Sequence, residues 1–311
     1  MRLPTPPLGR AAVAALSLAL AASLAGCGSQ AGSSADRTTR SGHQQAALAA
    51  AGPRKVTKLL VFVVENHSLD QMRRDMPFTY SLAKQYAYAS RYYAIRHPSL
   101  PNYLAIVGGS TFGVADDKGP SHHRIKGRSV FGQALRKGRT AKLYADSMPG
   151  NCALSNRGDY AVRHNPWTYF VGERRACRRH DVPVSQLSHD AAAGRLPNAG
   201  MVIPNLVHDA HNATLGEADT WIEKQVTRIQ RGPDWTSGRL AIVITADEDD
   251  HSSGNRVLTV VASRSVPHRV VSKRLTHYSL TRLYDDVLGV ARLRHAKRAP
   301  SMTKAFGIPV R

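Results

Sequence analysis

Aromatic side chains make up only 6% of this 311-residue sequence, and no stacking motif interleaves them with basic residues. That argues against a single-stranded nucleic-acid platform, where successive bases lie on aromatic rings. Acidic residues are also few. The 22 Asp and Glu stand against 43 Lys and Arg, a formal net charge of +21 that favours anionic partners. The apolar run at residues 11–25 falls short of the roughly 20 residues that cross a bilayer. Cysteine is limited to Cys27, Cys152 and Cys177, an odd count that asks for separate accounts. No internal repeat is visible. What the chain does have is 42% hydrophobic residues, enough for one large domain with its own core, which excludes a disordered or fibrous protein.

The N-terminus reads as an address. Arg2 and Arg10 precede the apolar run, which closes on Leu24, Ala25, Gly26 and Cys27. Residues 1–26 are thus expected to be a signal peptide with a small-residue cleavage site. The LAGC ending resembles the lipobox of bacterial lipoproteins, which implies a lipid anchor at Cys27 and a location on the extracellular face of the membrane. An ordinary secretory signal that happens to end in cysteine is the alternative, and both readings take the protein out of the cytoplasm. Losing Arg2 and Arg10 lowers the formal charge only to +19, so the basic character belongs to the mature chain. Residues 27–53 are rich in Ser, Ala, Gly and Gln without apolar periodicity, as in a flexible tether, and the folded domain is expected over 54–311. Outside the cell Cys152 and Cys177 are free to pair, a closure worth roughly 3 kcal/mol, with two buried thiols as the alternative.

Along the domain, KLLVFVV (58–64), residues 141–144, residues 200–203, LAIVIT (240–245) and VLTVVA (257–262) read as strands, the longer ones as runs buried on both faces. Residues 76–88, 99–107, 129–137, 214–229 and 278–288 read as helices. Ser99 is expected at an N-cap with Pro in the first turn, and Thr214 and Glu217 have capping-box spacing. Alternating strands and helices predict an α/β layered domain with a largely parallel sheet.

Two buried-strand candidates run straight into acids: Glu65 with Asn66 after the first, Asp247 with Glu248 after LAIVIT. Ligands collect beyond the carboxyl ends of strands in such sheets, and carboxylates held there call for a cation. Pairing with Arg, or capping of the next helix, is the competing account. Ser99 at a helix start adds a hydroxyl where backbone N–H groups favour phosphate. Metal, serine and helix end together describe phosphoryl transfer.

Four ordered blocks, VVENHSLDQM, HPSLPNYLAIVGGSTFG, ITADEDDHSSGNRV and HYSLTRLYDDVLG, resemble the bacterial phosphoesterase family of acid phosphatases and phospholipases C, within the alkaline phosphatase superfamily. Intermediate pieces, GDYAVRHNPWTYF and VIPNLVHDAH, extend the similarity from about residue 58 to 290. The resemblance implies an alkaline-phosphatase-like three-layer α/β/α sandwich. It also implies Glu65, Asn66, Ser99, Asp247 and Glu248 as metal ligands and Ser99 as a nucleophile forming a phosphoserine. His211 and His277 are implied as leaving-group acids, with Asn102, His97 and His164 against the substrate phosphate. The metal is Mg, Ca, Mn, Zn or Fe. Cysteines in relatives at the positions of Cys152 and Cys177 support their disulfide. Where relatives often read Asn-Asp-Met-His-Asp, this chain has His208 to Asn212, and Ala246 replaces a common tryptophan, so one pocket wall is expected to differ.

The expected function is therefore an exported, lipid-anchored, metal-dependent phosphomonoesterase acting on phosphorylated small molecules or phosphoinositide-type lipids. A phospholipase C-type phosphodiesterase is the enzyme alternative. A lapsed cell-surface polyanion-binding protein is the alternative from another class.

Overall fold

The computed structural model describes residues 54–310. The signal-peptide, Cys27 and tether expectations lie outside the described residues. No helix among the described residues is long and apolar enough to cross a membrane.

A single sheet of nine strands organises the domain, in the order β4-β3-β5-β1-β6-β7-β2-β8 with β9 beside β2. In chain order the elements are β1 (Lys58–Val64), α1 (Leu69–Asp75), α2 (Pro77–Gln85), β2 (Ala87–Tyr93), α3 (Ser99–Gly108), α4 (Val130–Arg136), β3 (Ala141–Ala145), α5 (Arg174–His180), β4 (Asp181–Pro183), α6 (Ser185–Ala192), β5 (Ala199–Ile203), α7 (Leu215–Gln230), β6 (Leu240–Ala246), β7 (Arg256–Ala262), β8 (Arg269–Val271), β9 (Leu275–Thr276) and α8 (His277–Leu288). All pairings are parallel except those of β7 with β6 and β2. Helices α1, α2, α6 and α7 pack together on one face, and α3, α4 and α8 on the other. This is the expected three-layer α/β sandwich with a largely parallel sheet.

The central strands explain their position. Every residue of LAIVITA in β6 is buried, as are six of seven in β1, so neither strand has a face that tolerates water. Helix α7 begins with the Thr214–Glu217 capping box that the sequence signals, both reciprocal hydrogen bonds being formed. Helix α3 ends at Gly109, whose φ of 65° is left-handed and where a Cβ would lie 2.8 Å from the Leu293 carbonyl oxygen.

Two local expectations change. The segment expected as a helix over 76–88 stops at Gln85, and Ala87–Tyr93 becomes β2. Its buried residues, Ala87, Ala89 and Tyr92, break the period of two at a register shift between Ala89 and Tyr92, which hides the strand in the sequence. Ser99 is not the N-cap of α3. Pro98 occupies that position and makes no side-chain cap, leaving Ser99 as the first helical residue with its hydroxyl directed elsewhere.

Cys152 and Cys177 form the expected disulfide, Cα–Cα 5.4 Å. Beside it lies the fully buried Asp181, which accepts a hydrogen bond from Asn165 Nδ2 at 2.9 Å. Burial pushes its carboxyl up to about 8, partly offset by that bond. Between the ordinary value near ~4 and about 8, the folded chain therefore holds a proton that the unfolded chain releases, so stability from this group falls as pH rises. Asp285, raised to about 7 chiefly by burial, adds the same sign. The melting temperature is expected to fall from pH 5 to 8, and Asp181→Asn to reduce that slope. A slope unchanged by the substitution would contradict this account.

Candidate active site

The register of β1 with β6 pairs Val64 with Ala246, so the next residues, Glu65 and Asp247, leave the carboxyl edge of the sheet side by side. Asp247 N–H donates to the Val64 carbonyl at 3.0 Å, continuing the ladder. Asp247 Oδ1 then accepts from the N–H of Asn66 at 3.0 Å and of Glu248 at 2.7 Å. Asn66 takes a φ of 53°, a left-handed conformation that asparagine tolerates. The second Asp247 oxygen, Oδ2, is buried with no hydrogen-bond partner.

Glu65 is fully buried and is a point of convergence. The Ser99 hydroxyl donates to its Oε2 at 3.0 Å, and Tyr103, one helical turn further along α3, donates to Oε1 at 2.5 Å. His164 Nε2 makes an ionic contact with Oε2 at 3.2 Å, while its Nδ1 lies 3.1 Å from Asp209 Oδ2. Burial works against charge on both groups. The attraction prevails, lowering Glu65 below the usual carboxylate range and raising His164 to about 9. Glu65, His164 and Asp209 thus form a carboxylate–imidazolium–carboxylate chain, and their ligand atoms lie within 4.8 Å of one another. Asp209 is pushed up, chiefly by burial, against the pull of His164.

The second acidic pair is compensated less: His97 Nδ1 lies 3.2 Å from Glu248 Oε1, but His97 is itself held below its ordinary value, chiefly by burial. Burial, and then the charges of Glu65 and Glu248, push Asp247 well above the carboxylate range. Burial, and then Glu65 and Asp117, raise Glu248 to about 8. Concentrated carboxylates with a buried unpaired oxygen want a positive ion. The unpaired Asp247 oxygen and the Glu248 carboxyl, with the Ser99 hydroxyl and the Asn66 amide at the cavity, are oxygen donors of the kind a hard divalent metal takes, while the group whose ligand atoms converge within 4.8 Å is Glu65, His164 and Asp209.

A cavity of about 450 Å³ opens over these groups, lined among others by Ser99, Asn66, Glu248, His211 and His251, and by Asp117, Asn156 and Arg163, which sequence reasoning missed. Nothing in the stretch around Asp117 marks it. Arg163 lies beside His164 in GDYAVRHNPWTYF, with no pattern of its own to mark it. Asp117 Oδ1 accepts the Leu100 N–H at 2.9 Å, and Pro101 has no N–H, so the start of α3 is less open to phosphate than its position in sequence suggests.

The expected histidines separate. His211 lines the cavity: its Nε2 accepts from Arg163 Nη2 at 3.1 Å, so Nδ1 carries the proton shared with Asn212 Oδ1 at 2.7 Å. His97, partly exposed, bridges Glu248 Oε1 at 3.2 Å and Asp249 Oδ1 at 3.1 Å and stacks on His251. His164 lies beneath the cavity on Glu65. Both therefore stand behind the acidic groups and set their positions.

Two expectations are corrected. His277 is completely buried; its Nε2 donates to the Asp247 carbonyl at 2.6 Å and its Nδ1 accepts from Tyr92. Burial drives its pKa down to about 4, so it is a neutral support for Asp247 with no route to a leaving group. The Asn102 amide is also committed inside the protein. Oδ1 accepts the Ile95 and Arg96 N–H groups, and Nδ2 donates to Glu248 Oε2 at 2.8 Å, so Asn102 positions the loop before Ser99 and the second acidic pair.

Comparison with known proteins places the fold and the family. The chain is 28% identical over 267 residues to the phosphatidylinositol-3-phosphatase of Mycobacterium tuberculosis, covering 85% of this chain and 87% of that protein. A phosphate-repressible acid phosphatase of Penicillium chrysogenum is 26% identical over 210 residues, 64% of this chain. The chain spans about half the length of that fungal relative. Among solved structures, an alkaline phosphatase superfamily protein from Vibrio parahaemolyticus covers 81% of this chain and 72% of its own, with a TM-score of 0.56 at 10% identity. A phosphonate monoester hydrolase from Silicibacter pomeroyi covers 82% and 77%, with a TM-score of 0.53 at 10% identity, and both likenesses concern the fold. The Phosphoesterase family model matches residues 64–291, the span that carries both acidic pairs, Ser99 and the cavity, and the chain belongs to that family.

Proposed function

We propose that the phosphoric ester hydrolysis of this family takes, in this chain, the form of a metal-dependent phosphomonoesterase of the acid phosphatase type, exported and anchored through Cys27. The observation that carries the reading is the Ser99 hydroxyl, held on Glu65 Oε2 at 3.0 Å at the cavity floor, with the buried acids Glu65, Asp247 and Glu248 at the same edge of the sheet. The names of the mycobacterial and fungal relatives point the same way.

A divalent metal held by Glu65, Asn66, Ser99, Asp247 and Glu248 would supply Lewis acidity, lowering the serine pKa and neutralising phosphoryl charge. The chain's own residues do the rest. Glu65 fixes the Ser99 hydroxyl, and the Tyr103 and His164 contacts keep that carboxylate from turning. Ser99 Oγ, its proton released along the hydrogen bond to Glu65 and on to solvent, forms a bond to phosphorus as the bond to the leaving oxygen breaks, and that oxygen takes a proton to give phosphoserine and an alcohol. Two histidines line the cavity, His211 and His251; His251 is stacked on His97, and His211 is the leaving-oxygen acid in this reading, once its Nε2 is freed from Arg163 and takes a proton. Water then cleaves the phosphoserine by the reverse sequence.

The test is hydrolysis of p-nitrophenyl phosphate, bis(p-nitrophenyl) phosphate and phosphatidylcholine by protein stripped with EDTA and reloaded with single divalent ions. Fastest turnover of the monoester, lost on chelation and restored by metal, is expected. Faster diester or phosphatidylcholine cleavage would favour the phospholipase C reading, and polyanion binding without turnover the binding-protein reading. Cys27→Ser should shift the enzyme from the membrane fraction to the soluble one; unchanged partition would remove the anchor from the proposal.

A further inference from the structure

Among the described residues Arg163 is the single Lys or Arg side chain lining the cavity, whose wall also carries four carboxylates, Asp117, Glu248, Asp249 and Asp250, beside His211 and His251. It sits on a 3-10 turn, Val162–His164, where consecutive residues serve opposite sides: His164 reaches inward to Glu65, and Arg163 faces the cavity. Its guanidinium makes one hydrogen bond, Nη2 to His211 Nε2 at 3.1 Å, and its Nε lies 4.0 Å from Asp117 Oδ2. The other N–H groups have no protein acceptor among the described residues, although the side chain is only 19% exposed. A cation half-withdrawn from water, with donors to spare, at an acid-lined opening is arranged for an anion that is not part of the protein.

A phosphomonoester enters such a cavity as a dianion, and a diester as a monoanion. The acidic wall repels the first more than the second, and α3 offers little relief because Asp117 already occupies the Leu100 N–H. We propose that Arg163 is the residue that selects phosphomonoesters: its free N–H groups take the non-transferring phosphoryl oxygens, and Asp117 keeps the guanidinium at that wall. The inference rests on the phosphomonoesterase reading and extends it to the residue that reads the second charge. It also gives His211 its release, since an Arg163 turned onto phosphate no longer holds Nε2.

The test uses the full chain loaded with the divalent ion that supports its turnover, as wild type, Arg163→Ala and Arg163→Lys. For p-nitrophenyl phosphate, kcat/KM is expected to fall about 100-fold in Arg163→Ala, and for methyl p-nitrophenyl phosphate about 3-fold or less. Inhibition by inorganic phosphate should weaken about 10-fold. Arg163→Lys should recover only part of the monoester preference, because an ammonium lacks the planar fork. Equal losses on both esters would reduce Arg163 to a structural role and overturn the proposal, as would an unchanged ratio. If the wild type cleaves no monoester, the phosphomonoesterase reading fails by itself. Calorimetric binding of inorganic phosphate then decides on Arg163: weaker binding in Arg163→Ala supports the anion contact, and equal binding removes it.

Discussion

Replacing Ser99 with alanine is expected to lower turnover of p-nitrophenyl phosphate by about 10³-fold or more while leaving the fold in place. Among the described residues, this hydroxyl is the nucleophile that is both held by a carboxylate and open to the cavity. Its removal leaves Glu65 with the Tyr103 hydroxyl and the His164 contact, so the buried carboxylate is not stranded. Alanine also suits the first turn of a helix better than serine, and the stability change should stay within about 1 kcal/mol. Circular dichroism melts check the fold, and acid-quenched reactions should trap covalent phosphate on the wild type and none on the variant. A variant with a tenth of wild-type turnover, or one that still traps phosphate, would remove Ser99 from the nucleophile's role.

The second large effect is expected at Asp247, and it has opposite signs for activity and for stability. In the metal-free protein the Asp247 carboxyl is raised first by burial and then by its repulsion with Glu65 and Glu248. Asp247→Asn keeps the oxygen that accepts from the Asn66 and Glu248 N–H groups and deletes the charge on the unpartnered one. Without metal the variant should melt about 3 °C or more above the wild type near neutral pH, where the raised carboxyl costs stability. With metal, the wild type should gain stability by mass action, and the variant should gain little and lose turnover about 10²- to 10³-fold. If metal raises the melting temperature of both proteins equally, Asp247 is not a ligand.

These two predictions draw on parts of the site that differ in how visible they are along the chain. The acids were legible because two apolar, β-branched runs end in them. A strand buried on both faces has no structural use for Glu65 or Asp247 just past its last apolar residue. Strand β2 was not legible, because AYASRYY is short, half-buried and interrupted by a register shift that spoils the alternation. The Ser99 helix was found at the right place with the wrong cap, since Pro98 and Ser99 are equally plausible boundaries until the backbone angles are known.

The histidines show the division most clearly. In sequence, His211 and His277 are two similar polar residues in family-like segments. In the fold one faces the cavity beside Arg163, and the other is sealed against the Asp247 carbonyl with its pKa driven down to about 4. Asn102 likewise turned from a phosphate contact into the anchor of Glu248 and the 95–96 backbone, since the loop before Ser99 folds back over it.

The layered α/β class and the family are legible along the chain, as is the position of Glu65, Asp247, Glu248 and Ser99 as candidates, because all of these signals are local: residue type at the end of an apolar run, or an ordered set of short blocks. Only the tertiary structure decided that Val64 pairs with Ala246 and so sets Glu65 beside Asp247, that His164 neutralises Glu65, that His277 is a support, and that Arg163 and Asp117 meet at the cavity wall. Protonation, access and charge compensation are set by burial and by neighbours far away in the chain, and neither quantity exists until the strands are in register and the loops have closed over their ends.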